Sequence, residues 1–250
     1  MSTPEAFTVQ LPSNGGLYGG NLPGGKATLR PMGAQEEQII FQRGGDPLAK
    51  SDKIIEGCYL DGEKVSAKDL LMIDRLYILF MLRVQMFGPV YRIPFVCQRC
   101  NHQRKMDINI MDDLDVTRMD EDLEEPFEVD LPHCGSTVQF RLLRGKDEDE
   151  VSRHTKRVMM KSTDAGDPSS RYRIGLQIVT IDGEEAEKQK AVEFAQNLDM
   201  ADSNEFRLGV EAVEGGIDLT LIRDCPQCGY VNEFVLPFTA EFLQPSTRQT

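Results

Sequence analysis

Tyr91-Arg92-Ile93-Pro94-Phe95-Val96-Cys97-Gln98-Arg99-Cys100-Asn101 and Leu219-Thr220-Leu221-Ile222-Arg223-Asp224-Cys225-Pro226-Gln227-Cys228-Gly229 repeat one arrangement at two distant places. Each carries a strand-like run into a Cys-x-x-Cys turn, and each continues into a second short run, Met106–Ile108 or Phe234–Leu236. Two such turns face to face supply four thiolates in a tetrahedron, the ligand set of a closed structural zinc site. Asn101 and Gly229 follow the second cysteine of each pair, and both residue types accept the positive φ that a metal knuckle requires. The expected site is one zinc ion held by Cys97, Cys100, Cys225 and Cys228.

Residues 101–224 separate the two pairs. Closing a loop of that length costs about 4 kcal/mol plus a constant. A four-ligand structural zinc contributes roughly 10–16 kcal/mol near neutral pH, so the metal wins. It would then organise the fold.

The chain has 250 residues, with 40% apolar and 28% charged side chains, enough to bury a real core. Six cysteines are too few for a disulfide scaffold, and Met1-Ser2-Thr3-Pro4-Glu5 has neither a basic nor an apolar leader pattern, so reduced thiols are expected. Asp and Glu number 41 against 28 Lys and Arg, a formal charge of −13. That balance opposes a phosphate-seeking surface, leaving at most a local basic face of Arg99, Arg104, Lys105 and Arg223.

Residues 1–31 hold six glycines in three pairs between Gly15 and Gly25, and read as a flexible or partner-ordered arm. Helices are expected over Ala34–Phe41, Pro47–Glu56, Ser66–Phe87, Asp147–Lys161, Tyr172–Val179, Glu184–Leu198 and from Asp202 to Gly215. Ser66 and Asp69 suit a capping box. The 66–87 helix is apolar nearly all round, yet Asp74, Arg75 and Arg83 interrupt it, so it reads as a buried central helix and not a membrane span. Strands flank the cysteine pairs and are expected again at Phe127–Val129 and Thr137–Leu143. The expected architecture is α+β: an arm (1–31), a helical core with half of a zinc ribbon (32–111), a mainly helical insertion (112–216), and the second ribbon half with a tail (217–250).

Cys58 and Cys134 are left over and read as buried small hydrophobes. His102, His133 and His154 form no Ser-His-Asp or Cys-His pattern, and no acidic pair stands out, so no enzyme is expected. A redox Cys-x-x-Cys would open a helix, which neither pair does.

Leu11-Pro12-Ser13-Asn14-Gly15-Gly16-Leu17-Tyr18, then Leu29-Arg30-Pro31-Met32, Glu36-Glu37, the paired knuckles, and Leu236-Pro237-Phe238-Thr239-Ala240-Glu241-Phe242 follow in order along the chain. This order resembles the baseplate proteins of contractile-tailed, T-even-type phages, in particular the small hub subunit or hub-assembly protein. The resemblance spans both ends and the cysteine pairs, and is loose over 112–216. It implies a non-enzymatic tail component that contacts hub, tube or wedge subunits, made in the host cytoplasm and acting at the virion baseplate. The competing readings are a zinc-ribbon nucleic-acid-associated protein, such as a phage transcription factor, and a thiol oxidoreductase.

Overall fold

The computed structural model describes residues 5–44, 46–161, 167–237 and 240–243. Phe238 and Thr239 of the closing motif lie outside them, as do 1–4 and 244–250.

The chain opens with a hairpin, β1 (Phe7–Gln10) and β2 (Lys26–Leu29), paired from Phe7↔Leu29 to Gln10↔Lys26. Here the expectation of a flexible arm fails. Val9, Leu11, Tyr18, Leu22 and Leu29 are all buried. The Met119 amide donates to the Pro12 carbonyl at 2.8 Å, and Leu60 donates to Thr28 at 2.9 Å. The glycines permit close approach instead of mobility: at Gly15 (φ 80°) a Cβ would lie 2.0 Å from the Leu22 carbonyl oxygen.

Next come α1 (Ala34–Phe41), α2 (Pro47–Cys58) and α3 (Met72–Phe87). Asp46 caps α2 by accepting from the Leu48 amide, with Pro47 at the first turn. Helix α3 is central and buried, but it starts six residues later than its sequence promises. Ser66–Asp69 closes a turn, the Asp69 amide donating to the Ser66 carbonyl at 2.8 Å. Leu70–Met72 then pair with Leu143–Gly145: Met72 donates to Leu143, and Gly145 to Leu70. That distant partner takes the backbone groups a helical turn would need. The charges of α3 are internal. Asp74 accepts from the Ser13 amide (3.0 Å) and the Tyr18 hydroxyl (2.5 Å), while Arg75 pairs with Asp52.

The ribbon's first half is β3 (Val90–Val96) and β4 (Gln103–Asn109), followed by the one-turn α4 (Ile110–Asp113) and β5 (Val116–Thr117). The insertion is more mixed than expected, because strands and helices alternate in it. A four-stranded antiparallel sheet runs in the order β6 (Phe127–Leu131), β7 (Ser136–Phe140), β8 (Ile178–Ile181), β9 (Glu184–Glu185). Between β7 and β8 lie α5 (Gly145–Lys161) and α6 (Ser169–Gln177). The sequence places one helix over Tyr172–Val179; the β-branched run Ile178-Val179-Thr180-Ile181 instead joins the sheet. After it come α7 (Lys188–Asn197), with Ala191 and Ala195 buried, and α8 (Met200–Val213), capped by Asp199 rather than by Asp202. Strand β10 (Gly216–Ile217) pairs with β5. The second ribbon half is β11 (Thr220–Asp224) and β12 (Val231–Val235), and α9 (Ala240–Leu243) closes the described chain. Phe242 packs on Phe80 and Tyr91, at 4.5 and 5.2 Å between ring centres.

Mixed helix and strand around one large apolar core, drawing on residues from Val9 to Leu243, fits the α+β expectation.

Candidate metal centre

Each cysteine pair sits at the tip of a hairpin whose register delivers it. In β3–β4, Val96 faces Gln103, and the Cys97 amide donates to the His102 carbonyl at 2.9 Å. In β11–β12, Asp224 faces Val231, and the Cys225 amide donates to Tyr230 at 2.8 Å. Both turns close in the same way. The Asn101 amide reaches the Cys97 carbonyl (3.0 Å) and the Gly229 amide reaches that of Cys225 (2.8 Å). Asn101 and Gly229 have φ of 56° and 66°, the left-handed conformation the turn demands.

The two tips meet. Cys97, Cys100, Cys225 and Cys228 bring their sulfurs within 4.8 Å of one another, so the group can hold a metal ion. Two contacts cross between the hairpins: Cys97 Sγ to Cys228 Sγ is 3.8 Å, and Cys100 Sγ to Cys225 Sγ is 3.7 Å. Four sulfurs 2.3 Å from a central ion stand about 3.8 Å apart along a tetrahedron's edges. A disulfide needs about 2.05 Å, so the observed spacing suits coordination better than a bond.

Electrostatics favours a cation here. Burial pushes the Cys97 thiol up, but the backbone amides of Cys100 and Arg99 point at the sulfur and bring it down to about 6. At Cys100 the His102 amide pulls down, yet desolvation and the sulfurs of Cys228, Cys225 and Cys97 push the thiol up to about 12. The first thiolate forms readily and opposes the next. A bound divalent ion removes that opposition.

Sequence reading missed the residue that ties the knuckles together. Asn232, 1% exposed, donates to Tyr230 (2.8 Å) within its own hairpin and accepts from the Gln98 amide (2.9 Å) of the other. An asparagine inside Val231-Asn232-Glu233-Phe234-Val235 is a poor strand former, which was the available signal. Phe95 and Phe234 pack beneath, 5.8 Å between ring centres.

The remaining candidates are scattered. Cys58 is fully buried, as expected, and burial raises its thiol to about 12. Cys134 is exposed, contrary to expectation: it sits in the turn between β6 and β7, where its amide donates to Asp202. His133 pairs with Asp199 at 2.7 Å, and His154 stacks on Tyr172. Arg104, Lys105 and Arg223 line one cleft with Arg92, whereas Arg99 is not among its lining residues.

A protein-family model described as T4 bacteriophage base plate protein matches residues 6–244, nearly the whole chain. The chain belongs to that family. No curated protein and no solved structure matches it. Membership makes this base plate protein a phage tail component that contacts other tail or baseplate proteins. No helix among the described residues is long and apolar enough to cross a membrane.

Proposed function

We propose that this base plate protein is a non-enzymatic structural or assembly part of the tail baseplate or hub. One zinc ion on Cys97, Cys100, Cys225 and Cys228 stiffens it for contacts with hub, tube or wedge subunits. The observation that carries this reading is the four-sulfur cluster in a chain of this family: residues 125 apart are joined at one point. A metal with four protein sulfurs keeps no open position for substrate, so its work is structural. The thiol oxidoreductase reading loses support because all four sulfurs gather at one point and each pair leads into a strand, not a helix. The nucleic-acid reading loses support because Asp107 and Asp113 offset Arg92 and Arg223.

The protein acts in the host cytoplasm during assembly and at the virion tail. Deleting its coding region from the phage tests this. Heads should accumulate without baseplates, and baseplates should return when the chain is supplied in trans. Baseplates of normal sedimentation and infectivity in the deletion phage would refute the role.

A further inference from the structure

Strand β4 is an edge. Among the described residues it pairs with β3 alone, and the Cys97–His102 bond fixes which backbone groups that pairing uses. Hydrogen-bonded and non-bonded pairs alternate along an antiparallel ladder. Arg104 and Met106 therefore turn their backbone toward β3, while Gln103, Lys105 and Asp107 turn theirs outward. Among the described residues no hydrogen bond reaches those outward amides and carbonyls. The matching outward position on β3 is Pro94, which has no N–H to offer, so the two edges are unlike.

A cleft of about 580 Å³ opens beside this edge, lined by Arg92, Arg104, Lys105, Met106, Asp107 and Arg223. Four cations and one carboxylate leave it at +3, on a chain of −13. Arg92 is committed to Asp107 (2.5 and 2.8 Å) and Arg223 to Asp113 (2.6 Å). Arg104 lies over the Phe95 ring at 5.5 Å, and neither it nor Lys105 has an ion pair among the described residues. A lysine on an edge strand discourages neutral and basic strands from adding to it. It attracts an acidic one, so the same residue selects.

We propose that the β4 edge binds an extended, acidic segment of another baseplate protein as an added strand. Its carboxylates would meet Arg104 and Lys105, and its backbone would meet Gln103, Lys105 and Asp107. The proposal rests on the baseplate reading and names the chemistry of one partner.

The probe is a fluorescein-labelled decapeptide of alternating Glu and Val with blocked ends, titrated against the full chain in 150 mM salt. Saturable binding should weaken at least tenfold in Lys105→Glu. Arg104→Gln is the second charge variant, should the first disturb the hairpin. N-methylating one alternating set of peptide amides should abolish binding, and methylating the other set should spare it. Amide exchange at Lys105 and Asp107 should slow in the complex. No saturable binding, equal affinity in both variants, or equal affinity for both methylated peptides would overturn strand addition. Tighter binding of a ten-nucleotide single-stranded DNA would overturn the acidic-protein assignment. These results leave the deletion-phage test untouched, so the two readings fail separately.

Discussion

At Tyr18 the phenol oxygen donates to the Asp74 carboxylate at 2.5 Å and accepts from the Leu71 amide at 2.8 Å. Tyr18→Phe keeps the ring and leaves both buried partners one bond short. A buried group without its partner costs about 1–3 kcal/mol, so a loss of about 2–4 kcal/mol is expected by urea denaturation. An unchanged midpoint would contradict it. Glu214, at the end of α8, sits where burial raises its carboxyl to about 7 from an ordinary 4.5. The folded chain therefore holds a proton that the unfolded chain has released, and stability falls as pH rises from about 4.5 through 7. Glu214→Gln should stabilise by up to about 3 kcal/mol at pH 8, with the gain shrinking toward pH 5.5. Comparing the variant with the parent at each pH cancels acid effects common to both, such as protonation of the four cysteine sulfurs. A gain independent of pH would show that the carboxyl is not the cause.

Among the elements, the hairpins that bear cysteine were legible because their signals are local. A Cys-x-x-Cys turn, a residue tolerant of positive φ and two short apolar runs fix the unit within about twenty residues. Their meeting was legible only through the chemistry of four sulfurs. The start of α3 was not, since the residues that capture Leu70–Met72 are Leu143–Gly145. The glycine-rich opening misled for the same reason. Its composition matches a linker, but Gly16 lies so close to the 120s segment that a Cβ would stand 2.8 Å from the Glu121 carbonyl oxygen. Deleting residues 1–25 removes Val9, Leu11, Tyr18 and Leu22, four buried side chains contributing roughly 1.5–3 kcal/mol each. Their sum is comparable to the roughly 5–15 kcal/mol stability of a whole domain, so the truncated chain should be insoluble or unfolded by circular dichroism. A cooperative melt near that of the full chain would contradict this packing. Gly15→Ala tests the same element more finely: strain at φ 80° and the clash with Leu22 should lower the melting temperature by several degrees.

In the whole molecule, one apolar core runs from the first hairpin to α9, and the sulfur cluster adds a junction at its rim. The ribbon consists of two two-stranded sheets, and such sheets are marginal alone. Stripping the metal with a strong chelator should therefore raise amide exchange across 219–236 while α3 stays protected. Uniform loss of protection would show instead that the metal governs the entire fold. Asn232 lies on the same junction but its role appears only in three dimensions, because its partner Gln98 is 134 positions away. The central claim is that these two distant knuckles share one zinc ion. Elemental analysis of the full chain, purified under reducing conditions without added metal, tests it most directly. The account predicts one zinc per chain, lost in Cys97→Ser and in Cys225→Ser; a soluble, folded parent chain containing no zinc would contradict it.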